Sequence, residues 1–155
     1  KAVYSGPLSR ARDTAAAIAA PHGLTPVIEP AFDDIHIGDW EGFSLSEVAD
    51  KWPRQWQEWR TAPHTFVFPG GERLDDARER AWAALRAAAT ATAGDAIAIV
   101  THRAVAKLLL LEAVGAPTSS FWCLSQNPCA LNLLELRPDG KYTVHSLNDT
   151  SHIAM

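Results

Sequence analysis

The apolar run Ala96-Ile97-Ala98-Ile99-Val100-Thr101, closed by His102, constrains the fold of this chain more than any other segment. A short strand without polar alternation is buried on both faces, as at the centre of a parallel sheet. Ala2–Tyr4 reads as a second short buried strand and Pro26–Ile28 as a third. Parallel strands need crossover connections, and helical patterns lie between these segments. Strands alternating with helices predict an α/β, three-layer sandwich with a mostly parallel central sheet flanked by helices.

The helical segments are legible by period. Ser9 to Ala20 places Ala11, Ala15, Ile18 and Ala19 on one face, and Pro21-His22-Gly23 ends it. Pro30 to Gly42 shows no period and is expected to be irregular. Ser44-Leu45-Ser46-Glu47 has the form of a capping box, with Phe43 and Val48 spaced as a hydrophobic staple. Leu45, Val48, Trp52, Trp56 and Trp59 follow at helical spacing, and Pro53 must bend or split that element. The tryptophan stripe reads as core or lid packing in preference to a substrate wall. Phe66–Gly71 is a loop. A long helix is expected from Glu72 to Thr92, facing Leu74, Ala77, Ala81, Ala84, Leu85 and Ala88 inward and ending at Gly94-Asp95. Ala104 to Val114 is the next helix, stopped by Gly115-Ala116-Pro117. Ala130–Leu136 and Lys141–Leu147 flank Arg137-Pro138-Asp139-Gly140 and read as a hairpin at one sheet edge.

Composition excludes several classes. The 155 residues suit one domain spanning 1–155, and a chain of that size buries roughly 68–70% of its unfolded surface. Lys+Arg 14 against Asp+Glu 18 leaves a net charge of −4, which argues against nucleic acid or an anionic membrane as the main partner. No apolar stretch approaches the ~20 residues needed to span a bilayer. Cys123 and Cys129 are too few for a disulfide framework and match no common zinc spacing. They are expected to be free, partly buried thiols in a reducing, cytoplasmic setting.

Three places carry candidate chemistry. Arg10 lies in the first turn of its helix, where a cation opposes the helix dipole. A bound anion reverses that cost, because guanidinium grips phosphate in bidentate fashion beside free backbone N–H groups. Arg10 is therefore either a phosphate ligand or a surface residue. His102 sits at the carboxyl edge of the sheet, where open α/β folds bind ligands; it is either a catalytic group or a hydrogen-bonded core histidine. Asp33 and Asp34 are adjacent in an irregular segment. They are caps and loop solvation, or one is a general acid if an anion beside it favours the protonated form. Gly42-Phe43-Ser44-Leu45-Ser46 lacks the second glycine of a nucleophile elbow. No P-loop or G-x-G-x-x-G occurs, and the six histidines do not pair at metal-ligand spacing.

Five segments, in order, resemble the histidine phosphatase superfamily, also called phosphoglycerate mutase-like. Tyr4-Ser5-Gly6-Pro7-Leu8-Ser9-Arg10-Ala11-Arg12-Asp13-Thr14-Ala15 is similar to the family's S-x-P-L-x-R-A-x-x-T-A helix start. Asp34-Ile35-His36-Ile37-Gly38-Asp39-Trp40-Glu41-Gly42 resembles its E-I-x-x-G-x-W-E-G loop. Pro69-Gly70-Gly71-Glu72 resembles its P-G-G-E-S turn, Val100-Thr101-His102-Arg103 its V-x-H-G strand end, and Asn148-Asp149-Thr150-Ser151-His152 a run seen in many phosphatase members. The resemblance covers about Val3 to Ile153.

The resemblance implies a metal-independent phosphomonoesterase without a cofactor. A histidine from an R-H-G motif attacks phosphorus, a carboxylic acid protonates the leaving oxygen, and water then releases phosphate. By position Arg10 and His102 bind the phosphoryl group, Asp34 is the acid with Asp33 as its stand-in, and Arg103 adds a phosphate contact. Asp34 stands where the family has Glu, and Arg103 where it has Gly. No Arg-His-Gly tripeptide occurs in the chain. In the family that motif lies on the first strand, so the domain is expected to be N-terminally incomplete and inactive as it stands. Without that strand, an open edge or a gap is expected beside Ala96–Thr101. The expected partner is a small phosphorylated metabolite or inorganic phosphate; sugar phosphates, nucleotides and ribazole phosphate stay equally open, and a homodimer is the assembly to test. The alternatives are a phosphoglycerate mutase and a non-catalytic member that binds phosphorylated ligands.

Overall fold

A computed structural model of the chain describes residues 1–92 and 96–153. Strand β1 (Ala2–Ser5) is followed by α1 (Ser9–Ala19), a 3-10 turn to His22 and β2 (Val27–Ile28). Two further 3-10 turns, Pro30–Phe32 and Gly38–Trp40, lie in the irregular segment. Next come α2 (Leu45–Lys51), α3 (Pro53–Thr61), α4 (Leu74–Ala91), β3 (Ile97–Val100) and α5 (Arg103–Ala113). A 3-10 turn at Thr118–Cys123 precedes β4 (Leu131–Leu136) and β5 (Tyr142–Asp149).

β1 lies at the centre of a parallel three-stranded sheet, order β2-β1-β3. Its alternation fills two layers. Val3, with Ala98 and Val100 of β3, packs against Ala15 and Ala19 of α1. Tyr4 and Ile99 turn the other way, onto the larger core that includes Leu74, Ala77 and Leu85 of α4 and Val105 and Leu108 of α5. Helices on both faces of a parallel sheet give the expected α/β sandwich.

The expected inner strand departs from its apolar pattern. Among the described residues β3 pairs with β1 alone, and all four of its residues are half-buried. The hairpin β4–β5 forms as expected but is a separate two-stranded sheet, not an edge of the parallel one. Leu131, Leu133, Leu136 and Leu147 on it are exposed.

Local signals set most helix ends. Ser44 Oγ accepts from Glu47 N–H (3.3 Å), and the Glu47 carboxylate accepts from Ser44 N–H (2.8 Å), so the capping box forms. Phe43 and Leu45 are exposed instead of packed, and Phe43 lies edge-on to Trp52 at 5.4 Å. Pro53 splits the tryptophan segment into α2 and α3 by starting a new helix. Trp59 is buried, while Trp52 and Trp56 pack against Trp40, whose ring also meets Phe66 and Phe68. The stripe is core. Ile18, expected inward, is exposed, because Ala11, Ala15 and Ala19 occupy the buried line of α1 at four-residue spacing. Both cysteines are free and exposed, not partly buried. The expected helix end at Gly94-Asp95 lies outside the described residues.

One glycine shows why the irregular segment has its shape. Gly38 has φ 56, and a Cβ there would overlap Pro69 O. Gly38→Ala combines left-handed strain with a backbone clash and should cost about 1–3 kcal/mol. Gly23 has φ 65 but nothing near its missing Cβ; Gly23→Ala should cost only the strain, about 1–2 kcal/mol. Urea unfolding of both variants checks this, and an equal loss at the two sites would remove the close approach as a cause.

Candidate active site

The parallel strands all end at one edge. Ser5 pairs with both Ile28 and Val100, Gly6 N–H donates to Val100 O (3.1 Å), and Glu29 N–H donates to Ser5 O (2.8 Å). The segments that leave this edge bring together the start of α1, the loop after β2 and the start of α5. Gly6 allows the approach, since a Cβ there would lie 2.6 Å from Phe32 O. Thr101 Oγ1 donates to the same Phe32 O (2.7 Å), which ties the end of β3 to that loop.

Arg10, Asp33, Asp34 and His102 meet there. Arg10 Nη2 lies 3.1 Å from Asp34 Oδ2. His102 Nδ1 lies 3.5 Å from that same oxygen, and its Nε2 lies 3.9 Å from Asp33 Oδ1. The other Asp34 oxygen accepts from Ile35 N–H (3.0 Å), and Asp33 Oδ1 accepts from Asp34 N–H (2.8 Å). Residues 24 and 92 positions apart in sequence from Arg10 thus share one cluster. Arg10 is exposed, the two carboxylates are half-buried, and His102 is buried.

His102 is the N-cap of α5 without capping it, and its Nε2 is buried with no hydrogen-bond partner. A buried polar atom without a partner is costly, so a site keeps one for a ligand or a function. Burial holds the His102 imidazole below its ordinary value of 6.5; Asp34 and Asp33 oppose that, and Arg10 and Arg80 add to it. A phosphate anion at the cluster would shift the balance towards the charged ring.

Arg103 is exposed at the first position of α5, and its Nε donates to Gln126 O (2.6 Å). Among the described residues no ion pair joins it to Asp33 or Asp34. Lys107, one turn further along α5, is buried with its Nζ over the Phe121 and Trp122 rings, and burial pushes its ammonium below the ordinary range, with Arg103 adding to this. Among the described residues there is no group of three or more His, Cys, Asp and Glu able to hold a metal ion. Among them, too, no helix is long and apolar enough to cross a membrane.

Sequence reasoning missed Arg80. From mid-α4 its guanidinium donates to Ala31 O (2.6 Å), Asp33 O (3.1 Å) and Asp34 O (3.0 Å), and it pairs with Glu72. Glu72 belongs to the Pro69-Gly70-Gly71-Glu72 turn, but nothing in the local sequence points from Arg80 to residues 46–49 positions earlier.

Relatives of this chain include proteins named as phosphatases. It is 26% identical over 151 residues to "Phosphoserine phosphatase 1" of Hydrogenobacter thermophilus, covering 97% of this chain and 71% of that protein. It is 31% identical over 155 residues to "Metal-independent phosphoserine phosphatase" of Arabidopsis thaliana, covering 99% of this chain and 63% of that one. It spans 42% of the length of a Mycobacterium tuberculosis relative, "Bifunctional protein Rv2228c". The solved structure of Bacillus stearothermophilus YhfR superposes with a TM-score of 0.91 at 27% identity, covering 97% of this chain and 75% of that one. The sequence profile described as "Histidine phosphatase superfamily (branch 1)" matches residues 1–150. The chain belongs to the histidine phosphatase superfamily, branch 1.

Proposed function

We propose that this chain supplies the phosphoryl-binding and acid side of a phosphomonoesterase that works through a phosphohistidine. The observation that carries this reading is the cluster itself. One cation, one buried imidazole with an unpartnered nitrogen and two carboxylates converge at the carboxyl edge of the sheet. Phosphoserine phosphatases among its relatives support the same class.

In the unliganded cluster Arg10 has Asp34 as its counter-ion. A phosphoryl group replaces that carboxylate on the guanidinium, which leaves Asp34 to carry a proton. Arg10 and His102 then neutralise charge on the equatorial oxygens, and Asp34 gives its proton to the leaving oxygen as the P–O bond breaks. Water next attacks the phosphohistidine and releases inorganic phosphate. Asp34 is preferred to Asp33 as the acid, because one of its oxygens faces both Arg10 and His102. Arg103, next in sequence to His102, is assigned a further phosphate contact by the family resemblance, its Nε being held by Gln126 O in the free chain. The substrate is a small phosphorylated metabolite, and a homodimer is the assembly to test.

The nucleophile of this scheme is a histidine in an Arg-His-Gly segment, a tripeptide that this sequence lacks. The 155-residue chain by itself should therefore bind phosphate and turn nothing over. An aryl phosphate assay checks this. Hydrolysis abolished by His102→Ala would refute the assignment of the nucleophile, and absence of phosphate binding would refute the site. A mutase would move phosphate between the 2- and 3-positions of phosphoglycerate faster than it hydrolyses it; that outcome in a chain supplied with an Arg-His-Gly strand would overturn the hydrolase reading.

A further inference from the structure

The carboxylate loop lacks the support that strands and helices give their own backbone. Between β2 and α2 it has only 3-10 turns, so its carbonyls need partners from elsewhere. Arg80 supplies them. Its Nη1 donates to Ala31 O and Asp33 O, and its Nη2 to Asp34 O. Its Nε and Nη2 also grip the two oxygens of Glu72, at 3.0 and 2.7 Å. Glu72 in turn accepts from His36 N–H (2.9 Å). One half-buried ion pair therefore holds three carbonyls and one amide of residues 31–36.

The clamp stands on a rigid base. Arg80 lies between Ala77 and Ala81, both fully buried on α4. Burial by itself would push the Glu72 carboxyl up; the Arg80 guanidinium and the His36 N–H outweigh it and hold it below its ordinary value. The clamp takes the carbonyl sides of Asp33 and Asp34 towards α4. Their carboxylates are left to cap the loop's own amides and to meet His102 and Arg10.

We propose that Arg80, anchored by Glu72, is the positioning residue of the carboxylate loop, fixing Asp34 against His102 through its grip on the Ala31, Asp33 and Asp34 carbonyls. The role given to Asp34 rests on the phosphatase reading; the positioning does not. Lysine cannot substitute. It keeps the charge but offers donors from one point, whereas five contacts in a plane need the guanidinium fork.

The test reads the His102 ring by NMR titration in the chain without ligand. The charges that bear on this ring are Asp33 and Asp34 from the loop, Arg10 from α1 and Arg80 from α4. In the parent, Asp34→Asn should move the His102 midpoint to lower pH, because a carboxylate that favours imidazolium is gone. In an Arg80→Lys background the charge near His102 is kept, and the same Asp34→Asn change should move the midpoint less than half as far. A loss of stability alone would not produce that difference between backgrounds. An equal shift in both, or no shift in the parent, overturns the proposal. If circular dichroism shows Arg80→Lys unfolded, Glu72→Gln decides by the same comparison: a reduced Asp34 effect supports the clamp, and a full one overturns it. Phosphate binding to the parent is measured alongside. Its absence would sink the phosphatase reading and leave the positioning role of Arg80 untouched.

Discussion

Arg10→Ala is expected to weaken inorganic phosphate binding by about 1.5–3 kcal/mol, roughly ten- to 150-fold in Kd. The size follows from the kind of contact. Among the described residues Arg10 is the one cation that the cluster presents from an exposed position, and its partner in the free site is a carboxylate that a phosphate can replace. The loss should exceed that of an exposed salt bridge, worth about 0–1 kcal/mol, because phosphate brings more charge and a bidentate geometry. Arg12→Ala is the control. It lies two residues on, exposed and with no ion pair among the described residues, and should change Kd by less than about twofold, within about 0.4 kcal/mol. Isothermal titration at fixed, low ionic strength measures both. Equal affinities for the Arg10 variant and the parent would remove Arg10 from the site.

Phe32→Ala should destabilise the protein by about 3–5 kcal/mol. The ring is fully buried in the larger core, and its carbonyl is the hub that accepts from Thr101 Oγ1. Loss of the ring leaves a cavity under the loop just before Asp33. Phosphate affinity should then fall with stability, because the carbonyl and the two carboxylates that follow share one backbone. Phe43→Ala, at an exposed ring, should cost less than about 1.5 kcal/mol and leave phosphate affinity unchanged. Urea unfolding followed by tryptophan fluorescence separates them. A Phe32 variant within about 1 kcal/mol of the parent, on the scale set by those values, would mean that the loop is not built on this ring.

Local chemistry fixed a large part of this fold. The capping box at Ser44 and Glu47, the break at Pro53 and the buried line Ala11, Ala15, Ala19 depend on neighbours within four residues, and the structure has all of them. The period of α4 marked its inner face, since Leu74, Ala77, Ala81, Leu85 and Ala88 are buried. Arg10 and His102 could be singled out for a similar reason. Arg10 lies at a helix start and His102 at a strand end, places visible in a linear string, whereas Asp34, in an irregular segment, is singled out by the resemblance of its loop.

Tertiary structure decided what the string leaves open. An unbroken apolar run placed Ala96–Thr101 inside a parallel sheet, yet β3 pairs on one side only among the described residues, because burial depends on which strands are present and not on how apolar a strand is. The tryptophans could have walled a substrate; their rings instead close on Trp40, Phe66 and Phe68, which come from other segments. Arg80 was invisible because helical period marks it only as a polar position, and its partners lie across the loop that follows β2. The sequence by itself determined the elements, their caps and the residues able to carry charge at the sheet edge, because those are set by interactions within a turn or two of the chain. Only the three-dimensional arrangement decided that Arg10, Asp34 and His102 share one cluster and that Arg80 holds its loop, because contacts between residues dozens of positions apart exist only after the core has closed.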